Sequence, residues 1–98
     1  MRLRYTPRSQ REIADIHDYI AKDNPAAARR VEEAIHAQCE RVAERPRAGA
    51  MTDEEDVRRM PIVRYPYTIF YRIDEGTNEV QILTVVHGKR VRDLGKVP

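Results

Sequence analysis

A histidine and several basic residues follow one another closely near the end of the chain. His87 is followed by Gly88, Lys89 and Arg90, and Arg92 stands two positions further on. An imidazole with a lysine and an arginine in reach can transfer a proton and neutralise a phosphate. The same pattern also suits a histidine that ends a strand and precedes a basic turn, so both interpretations stay open.

Four aromatic residues lie upstream within seven positions, and they are Tyr65, Tyr67, Phe70 and Tyr71. On a strand, Tyr67 and Tyr71 would share one face, whereas Phe70 and Arg72 would share the other. A row of rings can stack nucleic-acid bases. Packing in a core is the commoner use of such rings, and the sequence is compatible with both.

Arginines surround these aromatic residues. Arg58, Arg59 and Arg64 precede the aromatic run, and Arg72 follows it directly. If the strands bring these side chains together with the cations that follow His87, they form one basic patch on a sheet. If the strands scatter them, they are ordinary surface charge.

The charge of the chain is unevenly distributed. Its 98 residues hold 18 Lys plus Arg and 16 Asp plus Glu, which gives a net charge of +2. Residues 1–56 carry 10 basic and 12 acidic side chains, whereas residues 57–98 carry 8 basic and 4 acidic ones. A basic C-terminal part suggests an anionic partner, either a nucleic acid or an acidic protein segment.

Several functional classes are excluded by what the sequence lacks. No apolar run approaches the roughly 20 residues of a membrane span, and no apolar signal-peptide core follows the N-terminal charges. Cys39 is the single cysteine, so neither an intramolecular disulfide nor a cysteine-based zinc site can form. Gly-rich phosphate loops, nucleophile elbows and metal triads are absent. We therefore expect a cytoplasmic protein that uses no cofactor and no metal.

Two helices are predicted in the first half of the chain. Thr6 and Asn24 each precede a proline, an arrangement typical of a helix start. After a short strand over residues 2–6, the spacing of apolar residues predicts one helix from Pro7 to Lys22 and a second from Pro25 to about Arg45. The short connection makes them antiparallel neighbours, an αα-hairpin.

The second half is predicted to be β. Residues 46–56 have no period and indicate a loop, and three strands follow, with Pro61 at an edge or at a strand end. The strands are predicted over residues 57–63, 65–73 and 79–87, and residues 89–98 form a basic, weakly structured tail. The fold class is α+β, one domain over residues 1–98 of order β-α-α-β-β-β, with the αα-hairpin on a small twisted antiparallel sheet.

An ordered set of segments resembles the ParE/RelE superfamily of toxins from bacterial type II toxin–antitoxin systems. Each segment alone is weakly specific, but the set covers about Arg2 to Arg92 and is closer to the ParE branch. The segments are Tyr5-Thr6-Pro7, residues 16–20 (Ile-His-Asp-Tyr-Ile), residues 23–28 (Asp-Asn-Pro-Ala-Ala-Ala), Arg58-Arg59, residues 64–72 (Arg-Tyr-Pro-Tyr-Thr-Ile-Phe-Tyr-Arg) and residues 86–90 (Val-His-Gly-Lys-Arg).

The resemblance implies a toxin that a cognate ParD-like antitoxin neutralises in a hetero-oligomer. RelE-like relatives cleave mRNA in the ribosomal A site, whereas ParE-like relatives poison DNA gyrase. The cleaving branch carries an arginine where this chain has Thr68, and it often adds a C-terminal tyrosine or histidine, which is missing after Arg90. These departures favour the ParE-like activity.

Two hypotheses follow, and they use different residues. A toxin that inhibits gyrase, with direct nucleic-acid contact as an option, would bind its target or antitoxin through Arg58, Arg59, Arg64, Arg72, His87, Lys89, Arg90 and Arg92. The alternative is a ribosome-dependent, metal-independent endoribonuclease, whose catalytic residues would be Tyr71, His87 and Arg90.

Overall fold

The computed structural model describes residues 1–88. The predicted basic tail lies outside the described residues, and with it lie Lys89, Arg90 and Arg92. The described elements are β1 (Arg2–Tyr5), α1 (Pro7–Ala21), α2 (Pro25–Glu44), a short 3₁₀ turn (Pro46–Ala48), β2 (Ala50–Met51), β3 (Val57–Pro61), β4 (Tyr67–Asp74) and β5 (Glu79–His87).

Both helices begin where the sequence predicts, because each has a side-chain cap followed by proline. The Thr6 hydroxyl accepts a hydrogen bond from the Ser9 N–H at 3.1 Å, and the Asn24 side-chain oxygen accepts one from the Ala27 N–H at 3.0 Å. Each cap satisfies one of the backbone donors that a helix start leaves without an intrahelical partner. The predicted helical hairpin is therefore confirmed.

The five strands form one sheet in the order β1-β5-β4-β3-β2. Strands β2 to β5 pair antiparallel, but β1 pairs parallel with β5. The sheet is therefore mixed, whereas the sequence analysis predicted an antiparallel sheet. Strands joined by tight turns must run antiparallel, whereas the helices and three further strands separate β1 from β5 along the chain. No local turn therefore fixes the direction of β1.

The segment predicted as a loop over residues 46–56 contains two short elements. The chain makes a 3₁₀ turn at Pro46–Ala48 and then adds β2, in which Ala50 pairs with Arg59 and Met51 with Arg58. A two-residue strand is too short to show the alternation from which strands are predicted. The sequence therefore contains no periodic signal for β2.

The sheet carries a core on each face. On the face that contacts α1 and α2, fully buried residues include Ile35, Cys39, Ile69 and Tyr71. A second cluster of Val57, Phe70 and Val86, with Leu83 packed against it, contains no helix residue. We call the face that bears this second cluster the distal face. Strand β5 lies inside the sheet and contributes apolar residues to the cores on both faces.

Candidate functional site

The distal face displays two of the arginines that the sequence singled out. Arg72 pairs across the strands with Val57, and Arg59 pairs with Phe70, so both arginines share the face of the second core cluster. Cross-strand partners stand on the same side of a sheet. Arg59 is exposed and Arg72 is half-buried. Neither forms an ion pair with another residue among positions 1–88.

Strand β1 adds two further arginines to this face, and the sequence analysis missed them. Arg4 pairs with Gln81, which in turn pairs with Arg72, so a single row runs across three strands. Arg2 and Arg4 lie 3.6 Å and 3.7 Å from the Glu79 carboxylate. Their alternation with Leu3 was visible in the sequence, but the parallel pairing that puts them beside Arg72 was not.

A shallow groove of about 340 Å³ on β3 and β4 brings Arg59 close to Thr68. Thr68 is buried and pairs with Pro61 and Val86. This is the position at which the cleaving relatives would carry an arginine. A threonine hydroxyl is uncharged and cannot neutralise a phosphorane. Arg59 is the one cationic residue among the described residues that line this groove.

Arg58 lies on the opposite face from Arg59, because consecutive residues of a strand alternate sides. It pairs with Tyr71, and its guanidinium donates to the Gly49 carbonyl oxygen at 2.9 Å and to the Arg47 carbonyl oxygen at 3.2 Å. These bonds fix the segment that precedes β2. The structure therefore divides the predicted basic patch, with Arg58 attached to the fold.

Tyr71 belongs to the core. Its side chain is 0% exposed, and its hydroxyl donates to the Pro46 carbonyl oxygen at 2.7 Å and accepts from the Gly49 N–H at 2.9 Å. Burial raises the pKa of the Tyr71 hydroxyl, while the Gly49 hydrogen bond and Arg58 act in the opposite direction. A hydroxyl that is closed off from solvent and doubly bonded cannot receive a proton from a substrate.

His87 ends β5 and lies on the helix side of the sheet, away from the distal arginines. It pairs with Tyr67, and the two rings meet edge to face with centroids 5.6 Å apart. Both line a groove of about 570 Å³ beside α1, together with Tyr19 and the carboxylates of Glu12 and Asp15. Of the predicted catalytic set, Tyr71 is in the core and His87 is near α1, while Arg90 is outside the described residues.

Glu12 holds α1 against an irregularity in the sheet. The pairing of β4 with β5 shifts register between Phe70 and Tyr71. There, one oxygen of Glu12 accepts from the Thr84 hydroxyl at 2.7 Å and from the Val85 N–H at 3.0 Å. This carboxylate positions the groove wall, a role that only the three-dimensional pairing of residues 12 and 84 makes visible.

Arg64 lies in the connection between β3 and β4 and not on the distal face. Its backbone adopts φ 78°, the left-handed region, and its side chain is exposed beside α2. The predicted arginines are thus found in three places: Arg59 and Arg72 together, Arg58 on the opposite face, and Arg64 next to α2.

Neither a cluster able to hold a metal ion nor a helix able to span a membrane is found within residues 1–88. No group of three or more His, Cys, Asp or Glu residues in this range could hold a metal ion. In the same range, no helix combines the length and the apolarity needed to cross a bilayer.

The fold, two helices packed on a mixed sheet, is similar to the folds of two solved toxin structures. A structure titled "Chromosomal ParDE TA system from P. aeruginosa" superposes with a TM-score of 0.77 at 23% identity, over 89% of this chain and 95% of that one. The isolated RelE toxin of E. coli superposes with a TM-score of 0.65 at 14% identity, over 99% and 98% of the two chains. At these identities the likeness concerns the fold.

Sequence comparison identifies the family. A family model described as "ParE toxin of type II toxin-antitoxin system, parDE" matches residues 3–92. The chain is also 38% identical over 86 residues to "Putative toxin Y4kP" of Sinorhizobium fredii, which covers 88% of this chain and 86% of that protein. The chain belongs to the ParE toxin family of type II toxin–antitoxin systems.

Proposed function

We propose that this ParE-family toxin binds DNA gyrase in the cytoplasm and holds it in a complex with cleaved DNA. A cognate ParD-like antitoxin neutralises it in a hetero-oligomer. In this proposal the toxin acts by binding and has no catalytic set of its own. The contact residues are Arg59 and Arg72 on the distal face, with His87, Lys89, Arg90 and Arg92 nearer the C-terminus.

The observation that carries the proposal is the separation of the groups that RNA cleavage would need. A metal-free ribonuclease requires a base, an acid and cations around one phosphate. Within residues 1–88, Tyr71 is sealed in the core and His87 lies beside α1, while Thr68 stands where an arginine is needed. Membership of the ParE family also favours gyrase inhibition over RNA cleavage.

Electrostatics support the distal face as the surface that meets the target. Arg59, Arg72, Arg4 and Arg2 project from one side of the sheet, where the acidic residues are Glu79 and its cross-strand partner Asp74, so the basic residues are in excess there. A gyrase complex with cleaved DNA is strongly anionic, so a face of this kind would gain affinity and association rate from long-range attraction.

The test is a supercoiling assay with purified toxin, gyrase and plasmid DNA, scored for linear DNA trapped in cleaved complexes. We expect the wild-type toxin to accumulate linear DNA and the variant Arg59→Glu/Arg72→Glu to need at least about tenfold more protein, since each reversed charge weakens attraction to phosphates. The matched control is Arg11→Glu/Arg29→Glu, which makes the same charge change at exposed positions on the two helices.

Two results would contradict the proposal. Equal potency of the distal-face variant and the helix control would remove the distal face from the contact. If wild-type toxin leaves gyrase unaffected but cleaves mRNA on purified ribosomes, the ribonuclease hypothesis replaces the gyrase proposal.

A further inference from the structure

A row of hydrogen-bond donors crosses three strands on the distal face. Arg4 on β1 pairs with Gln81 on β5, and Gln81 pairs with Arg72 on β4. We call these three residues the distal row. Neighbouring strands are about 4.8 Å apart, so the backbones of the two arginines are about 10 Å apart. One strand of a DNA duplex presents a phosphate about every 3.4 Å along the helix axis, so a length of about 10 Å carries about three phosphates.

The cations of the distal row are accessible to an anionic ligand. Arg72 forms no ion pair within residues 1–88. Arg4 lies 3.7 Å from the Glu79 carboxylate, and its side chain is 62% exposed. A long ion pair of an exposed arginine contributes little to stability, so a phosphate can replace the carboxylate. Arg59 adds a further exposed cation to the same face from β3.

Among the described residues, no large exposed apolar side chain lies on the distal face. Val57, Phe70 and Val86 are at most 7% exposed, and Leu83 is half-buried. The large apolar residues that are exposed lie elsewhere, and they are Met1, Tyr19, Met51 and Val63. The centre of a protein interface is apolar and rich in aromatic residues, whereas contacts with DNA are polar and positively charged. The distal face therefore fits a phosphate backbone better than a protein surface.

Exposed aromatic rings are also missing from the described part of the distal face. Phe70 is 1% exposed, and all five tyrosines of the chain lie on α1 or pack with the core on the helix side. Proteins hold single-stranded nucleic acids by stacking the bases on exposed rings. A duplex keeps its bases stacked within itself and presents its backbone, which requires only hydrogen-bond donors and positive charge. The distal row therefore fits a duplex.

We propose that the distal face binds the phosphate backbone of duplex DNA directly, with Arg4, Gln81 and Arg72 donating to phosphates of one strand. The inference rests on the proposed function for its choice of DNA over double-stranded RNA. It deepens that function, because it assigns the distal face to the DNA of the gyrase complex and not to the gyrase polypeptide. Glu79 opposes binding, since its carboxylate competes with the phosphates for Arg4 and Arg2.

The probe is a short fluorescently labelled DNA duplex, titrated with the purified toxin in the absence of gyrase and followed by fluorescence anisotropy. The titration is repeated over a series of salt concentrations, because each phosphate contact contributes about 0.9 to the slope of log affinity against log salt. We expect Arg4→Gln/Arg72→Gln to reduce this slope by about 2 and the affinity by at least about tenfold. The matched control is Arg11→Gln/Arg29→Gln, which removes two charges from exposed helix positions. It should keep the slope and bind within about threefold of wild type.

A variant of opposite sign separates the assignment from damage to the fold. Glu79→Gln removes the carboxylate that lies 3.6 Å from Arg2 and 3.7 Å from Arg4. It should therefore bind the duplex about threefold more tightly than wild type, because both arginines become available to phosphates. A damaged fold would weaken binding, so a gain in affinity has no such explanation. Circular dichroism and thermal melting show whether each variant is folded.

The outcomes separate this inference from the proposed function. Equal losses of affinity in Arg4→Gln/Arg72→Gln and in the helix control overturn the assignment of the distal row. A wild-type toxin that prefers a single-stranded probe to the duplex overturns it as well. If the wild type traps cleaved gyrase complexes but binds no duplex at low salt, the inference fails and the proposed function stands. If it binds the duplex through the distal row but leaves gyrase unaffected, the inference stands and the gyrase proposal is contradicted.

Discussion

The substitution Tyr71→Phe separates a structural tyrosine from a catalytic one. It removes one oxygen that is 0% exposed and that makes two hydrogen bonds, one to the Pro46 carbonyl and one from the Gly49 N–H. The ring stays in place, so the packing of the core is retained. The backbone groups of Pro46 and Gly49 lose their partner at a site that is largely closed to water.

The magnitude follows from those two bonds. A buried donor or acceptor left without a partner costs about 1–3 kcal/mol, and Gly49 is buried whereas Pro46 is half-buried. We therefore expect Tyr71→Phe to lower the free energy of unfolding by about 2–4 kcal/mol. In a domain of this size, that loss lowers Tm by roughly 10–20 °C. It is a large part of a typical total of about 5–15 kcal/mol.

The assay is urea unfolding followed by circular dichroism, with Tyr19→Phe as the control. Tyr19 is 74% exposed, so its variant should remain within about 0.5 kcal/mol of wild type. At a temperature where Tyr71→Phe is folded, its effect on gyrase should equal that of wild type. A variant of unchanged stability that loses toxicity would refute this reasoning and return Tyr71 to the catalytic set.

Two further predictions concern the same core. Gly49→Ala should destabilise the chain by about 2 kcal/mol or more in the same urea assay, because a Cβ there would meet the Tyr71 hydroxyl and lie 2.8 Å from the Arg59 carbonyl oxygen; a neutral result would show that the loop can move aside. Stability should fall as the pH rises from about 9 towards 11, because burial raises the pKa of the Cys39 thiol from 9.0 to about 11. The unfolded chain then releases the proton first. Burial also raises the pKa of Tyr5, which adds to the fall above pH 10. Urea titrations of wild type and Cys39→Ala test this, and an equal alkaline loss in both would remove the thiol from the explanation.

Local chemistry explains which elements could be predicted from the sequence. The caps at Thr6 and Asn24 act within three residues, and the resulting helix starts are correct. The limits of β5, Glu79–His87, are also as predicted. A polar turn precedes that strand and Gly88 follows it, so its boundaries are marked by neighbouring residues.

Pairings between distant segments could not be predicted in the same way. The partners of the Tyr71 hydroxyl come from Pro46 and Gly49, which lie in a segment without a period. The arginines of β1 reach the distal face only through the parallel pairing with β5. Neither arrangement leaves a pattern in the residues that form it, because each depends on how separate elements dock.

The division of the basic patch, by contrast, was partly predictable. Arg58 and Arg59 are consecutive on a strand, so a period of two already prevents them from sharing a face. What the sequence leaves open is which arginine points to the helices, and the pairing of Arg58 with Tyr71 decides it. Arg58 and Arg59 therefore could not both belong to one patch on the sheet, because side chains alternate between its two faces.

The contacts of each arginine determine which kind of function it can serve. Arg58 donates to two backbone carbonyls, so replacing it would loosen the segment around Gly49 before it altered any surface charge. Arg59 and Arg64 are exposed and make no ion pair within residues 1–88, and they lie on different surfaces. A small domain with separate basic surfaces can meet two anionic partners at different places.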